Sequence, residues 1–224
     1  MGLSVVAFVP MRHSSERVPG KNYRDFNGRP LFHHIISTLL EVSQISAVVI
    51  DTDSPTVVGQ CLEHFPTVRC IDRPEHLLGG ETPMTDVLAY DASQFPSEWY
   101  LQTHSTNPLL TSTTIRRALV EFEASLDSHD SLFSVTRLQT RLYDAEGVAL
   151  NHDPAVLLRT QDLPPIYEEN SNIYVFSADQ IRQGKRIGDR PLLFEVDPLE
   201  AVDIDEEHDF VIAELLQSRL GGRS

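Results

Sequence analysis

Apolar residues crowd the start of the chain in "LSVVAFV", Leu3 to Val9. So short and so continuous a run predicts a strand covered on both faces, as inside a parallel sheet. In "RPLFHHIISTLLEV" the spacing changes to a helical stripe of Leu31, Ile35, Leu39 and Val42, with Pro30 near its start. The pattern then repeats. "SAVVIDTD" reads as a strand, "SPTVVGQCLEHF" as a helix opened by Ser54 and Pro55, and "TVRCID" as a strand. "TPMTDVLAYDASQF" predicts a helix, "EWYLQ" a strand, "TSTTIRRALVEFEASL" a helix capped by Thr111 or Ser112, and "DSLFSVTR" a strand.

Strands alternating with helices through the first 135 or so residues predict an α/β, Rossmann-like fold. Its sheet is mixed but mainly parallel, wound right-handed, with helices on both faces. Ligands of such sheets lie beyond the carboxyl ends of the strands. Pro10 to Asn22, Asp51 to Asp53, Arg73 to Thr85 and Thr103 to Leu110 are therefore expected around one crevice. Between Leu138 and Glu169 the periodicity fails, and "HDPAV" and "DLPP" mark turns, so 138–169 reads as an excursion from a single domain spanning 1–224. "NIYVFSA" returns as a strand, "LLFEVDPLEAVDI" is strand-like, "DEEHDFVIAELLQSRL" is a final helix, and the Gly-Gly-Arg-Ser end is expected to fray.

Composition narrows the range of partners. The chain of 224 residues has 33 acidic and 18 basic side chains, a net charge of −15, which argues against nucleic acid or an anionic membrane as the main partner. Cys61 and Cys70 are the only cysteines and lack metal or redox spacing. The start lacks the basic and apolar blocks of a signal peptide, and no apolar run reaches the roughly 18 residues of a membrane span, so a cytoplasmic location is expected.

Against this acidic background, "VPMRHSSERVPGKNYRDFNGRPL" gathers Arg12, Arg17, Lys21, Arg24 and Arg29. A connection between strand and helix needs only about two to six residues. A cation about 4 Å from a phosphate contributes about 4 kcal/mol at an effective dielectric near 20, before desolvation is subtracted. The loop thus has the charge to hold a triphosphate, with Ser14, Ser15 and Gly20 as further donors. Its counterpart is the stretch from Glu195 to Asp209, which carries eight carboxylates and no Lys or Arg. Asp203 and Asp205 alternate in the strand-like run and are expected on one face, where a hard divalent cation, Mg²⁺ most simply, relieves their repulsion. An acidic helix-start cap is the other reading of that pair, and a cap is the leading one for Asp209. Asp51 and Asp53 alternate likewise, which leaves open a metal-binding pair of a sugar-nucleotide-dependent glycosyltransferase.

Pro10, Arg12, Ser15, Arg17, Pro19, Lys21 and Asn22 resemble the "PxRxxSxRxPxKN" signature of the acylneuraminate cytidylyltransferase family, which includes the ketodeoxyoctulosonate (KDO) enzymes. "NGRPL", "VVIDTDS", "DRPEHLLGGETPMTDVL", "LQTHSTNPLLTSTTIRRAL", "EENSNIYVF" and "AVDIDEEHDF" resemble later segments of the same family. The resemblance implies a homodimeric transferase joining CTP to a nonulosonic or octulosonic acid, in which the anomeric hydroxyl attacks the α-phosphorus and pyrophosphate leaves. It implies nucleotide contacts from Arg12, Ser15, Arg17, Lys21, Asn22 and Arg73, with Arg12, Lys21 and Asp203 catalytic and Mg²⁺ on Asp203 and Asp205. It also implies sugar contacts from Gln102, Arg159 and Asn170, and a dimerisation arm at 138–169. His104 lies in the same candidate loop and reads first as a loop-stabilising group. The chain departs from the family pattern at "THSTNP", Thr103 to Pro108, which is two residues longer than the usual "PTSP", at Leu110, where the family often carries Arg, at Glu168-Glu169, which replaces "RP", and at Ser171-Asn172, which replaces "GA". A non-catalytic CTP-binding homologue is the remaining alternative.

Overall fold

In the computed structural model, residues 2–221 are described, so the expected fraying of 222–224 lies outside the described residues. Strands β1 (Val5–Pro10), β4 (Ile45–Thr52), β5 (Arg69–Asp72), β6 (Trp99–Gln102), β7 (Ser131–Leu138), β8 (Ile166–Ser177) and β9 (Pro191–Glu195) form one sheet of order β5-β4-β1-β6-β8-β7-β9. A two-stranded ribbon of β2 (Asp25–Phe26) and β3 (Arg29–Pro30) stands apart. β1 runs parallel to β4 and β6, β4 to β5, and β7 to β9, whereas β8 is antiparallel to both of its neighbours. The mixed, mainly parallel sheet expected from the alternation is present.

The pleat sorts β1 onto two faces. Val5, Ala7 and Val9 pack with Phe32, Ile35 and Leu39 of α1 (Leu31–Leu40), Val57 of α2 (Pro55–His64) and Leu119 of α4 (Ser112–Ala124). Val6 and Phe8 face Leu88 of α3 (Met84–Gln94) and Ile181 of α5 (Ala178–Arg182). Period-two alternation of a fully apolar strand is what covers both faces with helices. Local chemistry sets the helix starts: the Ser54 side chain accepts from the Val57 amide ahead of α2, and Thr111 accepts from Thr114 ahead of α4. α5 is opened by a reciprocal Ser177–Gln180 capping box, and at five residues it is too short to announce itself by periodicity.

A third apolar cluster lies off the sheet. Val18, Phe26 and Leu31 from the basic loop and its continuation pack against Ile204 and against Phe210 and Ala213 of α6 (Glu207–Gly221). It binds the beginning of the chain to its end.

Two expectations are corrected. The strand-like run after Leu192 is a strand only through Glu195; residues 197–205 are turn and extended coil. Ile204 is fully buried in the third cluster, and this inward residue turns its neighbours Asp203 and Asp205 away from that core without any sheet. The excursion is also shorter than 138–169, because Ile166 to Glu169 belong to β8 and pair with Leu138 to Val135. Between them the chain has an isolated bridge of Tyr143 with Ala149 and a single 3-10 turn at Thr160–Asp162, and it exposes Val148, Leu150 and Leu157.

Candidate active site

Pro10 pairs with Asp51 and Phe8 with Gln102, so the loops after β1, β4 and β6 leave the sheet side by side at its carboxyl edge. The loop from Met11 to Tyr23 is braced on each neighbour. Its His13 amide donates to the Asp53 carboxylate at 2.6 Å, and the His13 ring lies 2.8 Å from the Ser54 hydroxyl. The buried Asn22 amide donates to the Arg12 carbonyl at 2.7 Å and accepts from the Ser105 hydroxyl at 2.6 Å. Gly20 takes a left-handed φ of 66°, and a Cβ there would stand 3.0 Å from the Tyr23 ring. The folded loop encloses a cavity of about 280 Å³ with Arg12, Ser15, Arg17, Lys21 and Asn22 on one side and His104 to Thr106 on the other. Asn22 spends its side chain on the loop's shape.

The acidic segment meets the loop at Lys21. Lys21 Nζ donates to the Ile204 carbonyl at 2.6 Å, between Asp203 and Asp205. Burial holds the Lys21 amine below its ordinary range despite both aspartates, and burial lifts the Asp203 carboxyl above its own. Buried Oδ1 of Asp203 has no hydrogen-bond partner among the described residues. Arg17 pairs with Asp205 at 2.7 Å and Glu206 at 3.4 Å, and Arg24 pairs with Glu207 at 2.6 Å while lying over the Phe210 ring. Asp209 accepts from the amides of Asp205 and Glu206, the helix-start role expected of it, and those bonds hold its carboxyl low. Arg12 is half-buried and has no ion pair among the described residues.

Asn107 and Asn172, two of the departures from the family pattern, occur together. Both are fully buried; Asn107 Nδ2 donates to Asn172 Oδ1 at 3.2 Å and contacts the Val202 carbonyl at 3.4 Å, and Asn172 Nδ2 donates to the Glu200 carbonyl at 2.7 Å. With the Ile204 amide bonded to the Thr106 carbonyl at 3.0 Å, they pin the segment that carries Asp203. Sequence reasoning left both asparagines without a role, since neither sits in a spacing that signals chemistry.

Other expected residues stand elsewhere. Arg73 is corrected: its guanidinium is 4% exposed and held by the Asp51 carboxylate, so it neutralises a buried acid and presents no open face to a phosphate. The same pairing corrects the Asp51–Asp53 metal pair, because Asp51 is engaged inward and Asp53 holds the loop. Beneath them Asp91 is pushed up to about 9, first by burial and then by Asp51, and is therefore a neutral acid. Arg159 is exposed and paired with Asp162 at 2.7 Å, outside the cavity. Asn170 is bonded to Ser134 and Thr136 of β7, which makes it a fixture of the sheet. Gln102 is buried, with Nε2 2.8 Å from His104 Nε2 and Oε1 accepting from Arg186 at 2.9 Å. Arg186, absent from the sequence expectations, sits in "QGKRIGDRP", which has no motif spacing.

A larger cavity of about 600 Å³ opens at the opposite edge of the sheet, beside Trp99 and α5. Asp179 pairs there with Arg182 and Lys185 with Asp189, and none of the loop's cations reaches it. Among the described residues no group of three or more His, Cys, Asp or Glu side chains could hold a metal ion, and no helix is long and apolar enough to cross a membrane.

A family model described as cytidylyltransferase matches residues 6–217. The chain is 29% identical to CMP-N,N'-diacetyllegionaminic acid synthase of Legionella pneumophila, over 96% of each protein. It is 27% identical to 3-deoxy-manno-octulosonate cytidylyltransferase of Yersinia enterocolitica, over 69% of this chain and 64% of that one. In fold it is similar to a solved CMP:2-keto-3-deoxy-manno-octonic acid synthetase complexed with CTP, with a TM-score of 0.71 at 16% identity, over 97% of this chain and 99% of that one.

Proposed function

The chain belongs to the cytidylyltransferase family, and on that premise we propose that it joins CTP to a sialic-acid-like 2-keto sugar acid, giving a CMP-sugar and pyrophosphate. The observation that carries this reading is the Lys21 amine seated on the Ile204 carbonyl between two aspartates, with Arg17 paired to Asp205, so that the loop's cations and the acidic segment meet beside one cavity. The names of the relatives supply the substrate class: one acts on a diacetyllegionaminic acid and another on 3-deoxy-manno-octulosonate.

Arg12, Ser15, Arg17 and Lys21 receive the phosphates, with Asn22 keeping their loop in shape. The sugar's anomeric hydroxyl attacks the α-phosphorus in line, and Arg12 and Lys21 offset the charge that gathers on the departing pyrophosphate. Asp203 and Asp205 fit Mg²⁺: both offer hard oxygens, and a buried carboxylate oxygen without a partner suits a cation. Asp203 and Asp205 would hold the ion, with water and phosphate oxygens supplying the rest of its shell, since the described residues offer no group of three or more metal-ligating side chains. When bound, the ion would polarise phosphate oxygens and acidify the attacking hydroxyl. Burial works against the charged forms of both Lys21 and Asp203, a mismatch that a bound metal–triphosphate would relieve. Gln102 would meet the sugar through His104 at the cavity's inner wall.

The apolar excursion between β7 and β8 suits the buried face of a homodimer, since Leu157 is 86% exposed in the isolated chain. Two free thiols, Cys61 and Cys70, suit a reducing cytoplasm. The test is pyrophosphate release with each of four nucleoside triphosphates, with and without Mg²⁺, against a panel of nonulosonic and octulosonic acids. Release that needs CTP, the metal and an acid is expected, together with a loss of at least about 100-fold in Lys21→Ala. CTP binding without release would leave a non-catalytic homologue, and release with UTP or GTP alone would remove the cytosine assignment.

A further inference from the structure

Resting on that reading, and extending it to the acceptor, we infer that Arg186 receives the carboxylate of the sugar acid and thereby sets the enzyme's preference for acidic sugars. An anionic acceptor beside a triphosphate needs a cation that the phosphates and the acidic segment have not already taken. Arg17 and Arg24 are paired with carboxylates of the segment, Lys21 lies between Asp203 and Asp205, and Arg73 is buried on Asp51. Arg12 is left to the nucleotide loop.

Arg186 is joined to His104, which lines the cavity, by the side chain of Gln102. Both Arg186 and Lys21 are close enough to help hold the His104 imidazole down at about 4, after the larger effect of burial. Gln102 links Arg186 and His104, its Nε2 lying 2.8 Å from His104 Nε2 and its Oε1 accepting from Arg186 at 2.9 Å. The Arg186 guanidinium is aimed by its surroundings: it lies 3.6 Å over the Tyr174 ring, and one N–H donates to Gln102 Oε1 at 2.9 Å. Its single ion pair among the described residues, to Glu169, is long at 3.4 Å, and the same Glu169 oxygen is also taken by the Tyr174 hydroxyl. Two of the five N–H donors of a guanidinium are therefore engaged, and the side chain keeps 21% of its surface exposed. Stacked, oriented and half-satisfied, it is prepared for the bidentate hold that arginine gives a carboxylate. Glu169, by the same geometry, competes with the substrate for Arg186.

The experiment measures steady-state kinetics of the full chain with the best acid from the pyrophosphate assay and with its C1 carboxamide. Wild type should prefer the carboxylate by roughly 10–100-fold. Arg186→Gln should raise KM for the acid by a similar factor, leave KM for CTP within about twofold and nearly abolish discrimination between acid and amide. Arg186→Lys should recover part of the discrimination, and Glu169→Gln should lower KM for the acid. Unchanged discrimination in Arg186→Gln, or an equal rise in both KM values, overturns the assignment alone. A wild-type chain that releases no pyrophosphate with any acid overturns it together with the function it rests on.

Discussion

Lys21 and Asp203 face one another with opposite formal charge, yet burial lowers the proton affinity of the lysine and raises that of the aspartate, so desolvation outweighs their attraction. A residue kept in this condition costs the fold stability in exchange for readiness toward a ligand. Replacing Asp203 by Asn keeps its shape and removes the buried charge. Asp203→Asn should therefore raise the melting temperature by about 2 °C, the effect of roughly 0.5–1 kcal/mol in a chain of this size, while pyrophosphate release falls by at least about 100-fold. A variant that melts earlier than wild type would show that Asp203 is structural. Arg73 teaches the opposite lesson: a cation placed by the sequence at a strand end was already claimed by an acid, and no spacing rule reveals which of two neighbours a guanidinium will choose.

The strand β8 carries a local irregularity where Asn170 to Ile173 pass Ser134 of β7. Ser171 has a left-handed φ of 58°, the ladder to β7 shifts between Phe133 and Val135, and Ser134 Oγ fills the gap by donating to Asn170 and accepting from the Ile173 amide. That is a β-bulge, and the family resemblance has Gly where this chain has Ser171. Ser171→Gly should remove a steric strain of roughly 1 kcal/mol and raise the melting temperature by about 2–4 °C, less whatever the contact from the Tyr174 hydroxyl at 3.2 Å contributes. Calorimetry decides it; a lower melting temperature would mean that the serine hydroxyl outweighs the strain. Long periodic elements such as α1 and β4 were legible before any coordinates, because their burial pattern is written over many residues. The bulge, the short α5 and the coil at 197–205 were not. α5 is too short to show a period, and the other two depend on side chains from another part of the chain: Ser134 for the bulge, and Asn107 and Asn172 for the coil that carries Asp203.

Taken over the whole molecule, titration has opposing signs. His33, His34 and His104 are each lowered to about 4, chiefly by burial, whereas Asp91 is raised to about 9, also chiefly by burial. Below the ordinary histidine value of about 6.5 the unfolded chain binds protons that the folded histidines refuse, so stability falls as pH drops from about 6.5 to 4. Asp91 acts the other way: folded, it keeps its proton to about 9, unfolded it loses it near 4, and stability declines across that whole span as pH rises. Each group contributes at most about 1.4 kcal/mol per pH unit. Three histidines outweigh one aspartate on the acid side, and Asp91 governs the neutral side. Urea denaturation across pH 4–9 should show a maximum near pH 6–7, and a Asp91→Asn variant should flatten the decline above it. A monotonic profile would refute the balance. The cluster of Val18 and Phe26 with Ile204 and Phe210 has its own consequence for biosynthesis. A ribosome delivers the cationic loop first and the carboxylates that pair with it nearly two hundred residues later. A nascent chain can therefore possess its sheet while this corner stays unpacked, and the cluster closes only once both stretches have been made.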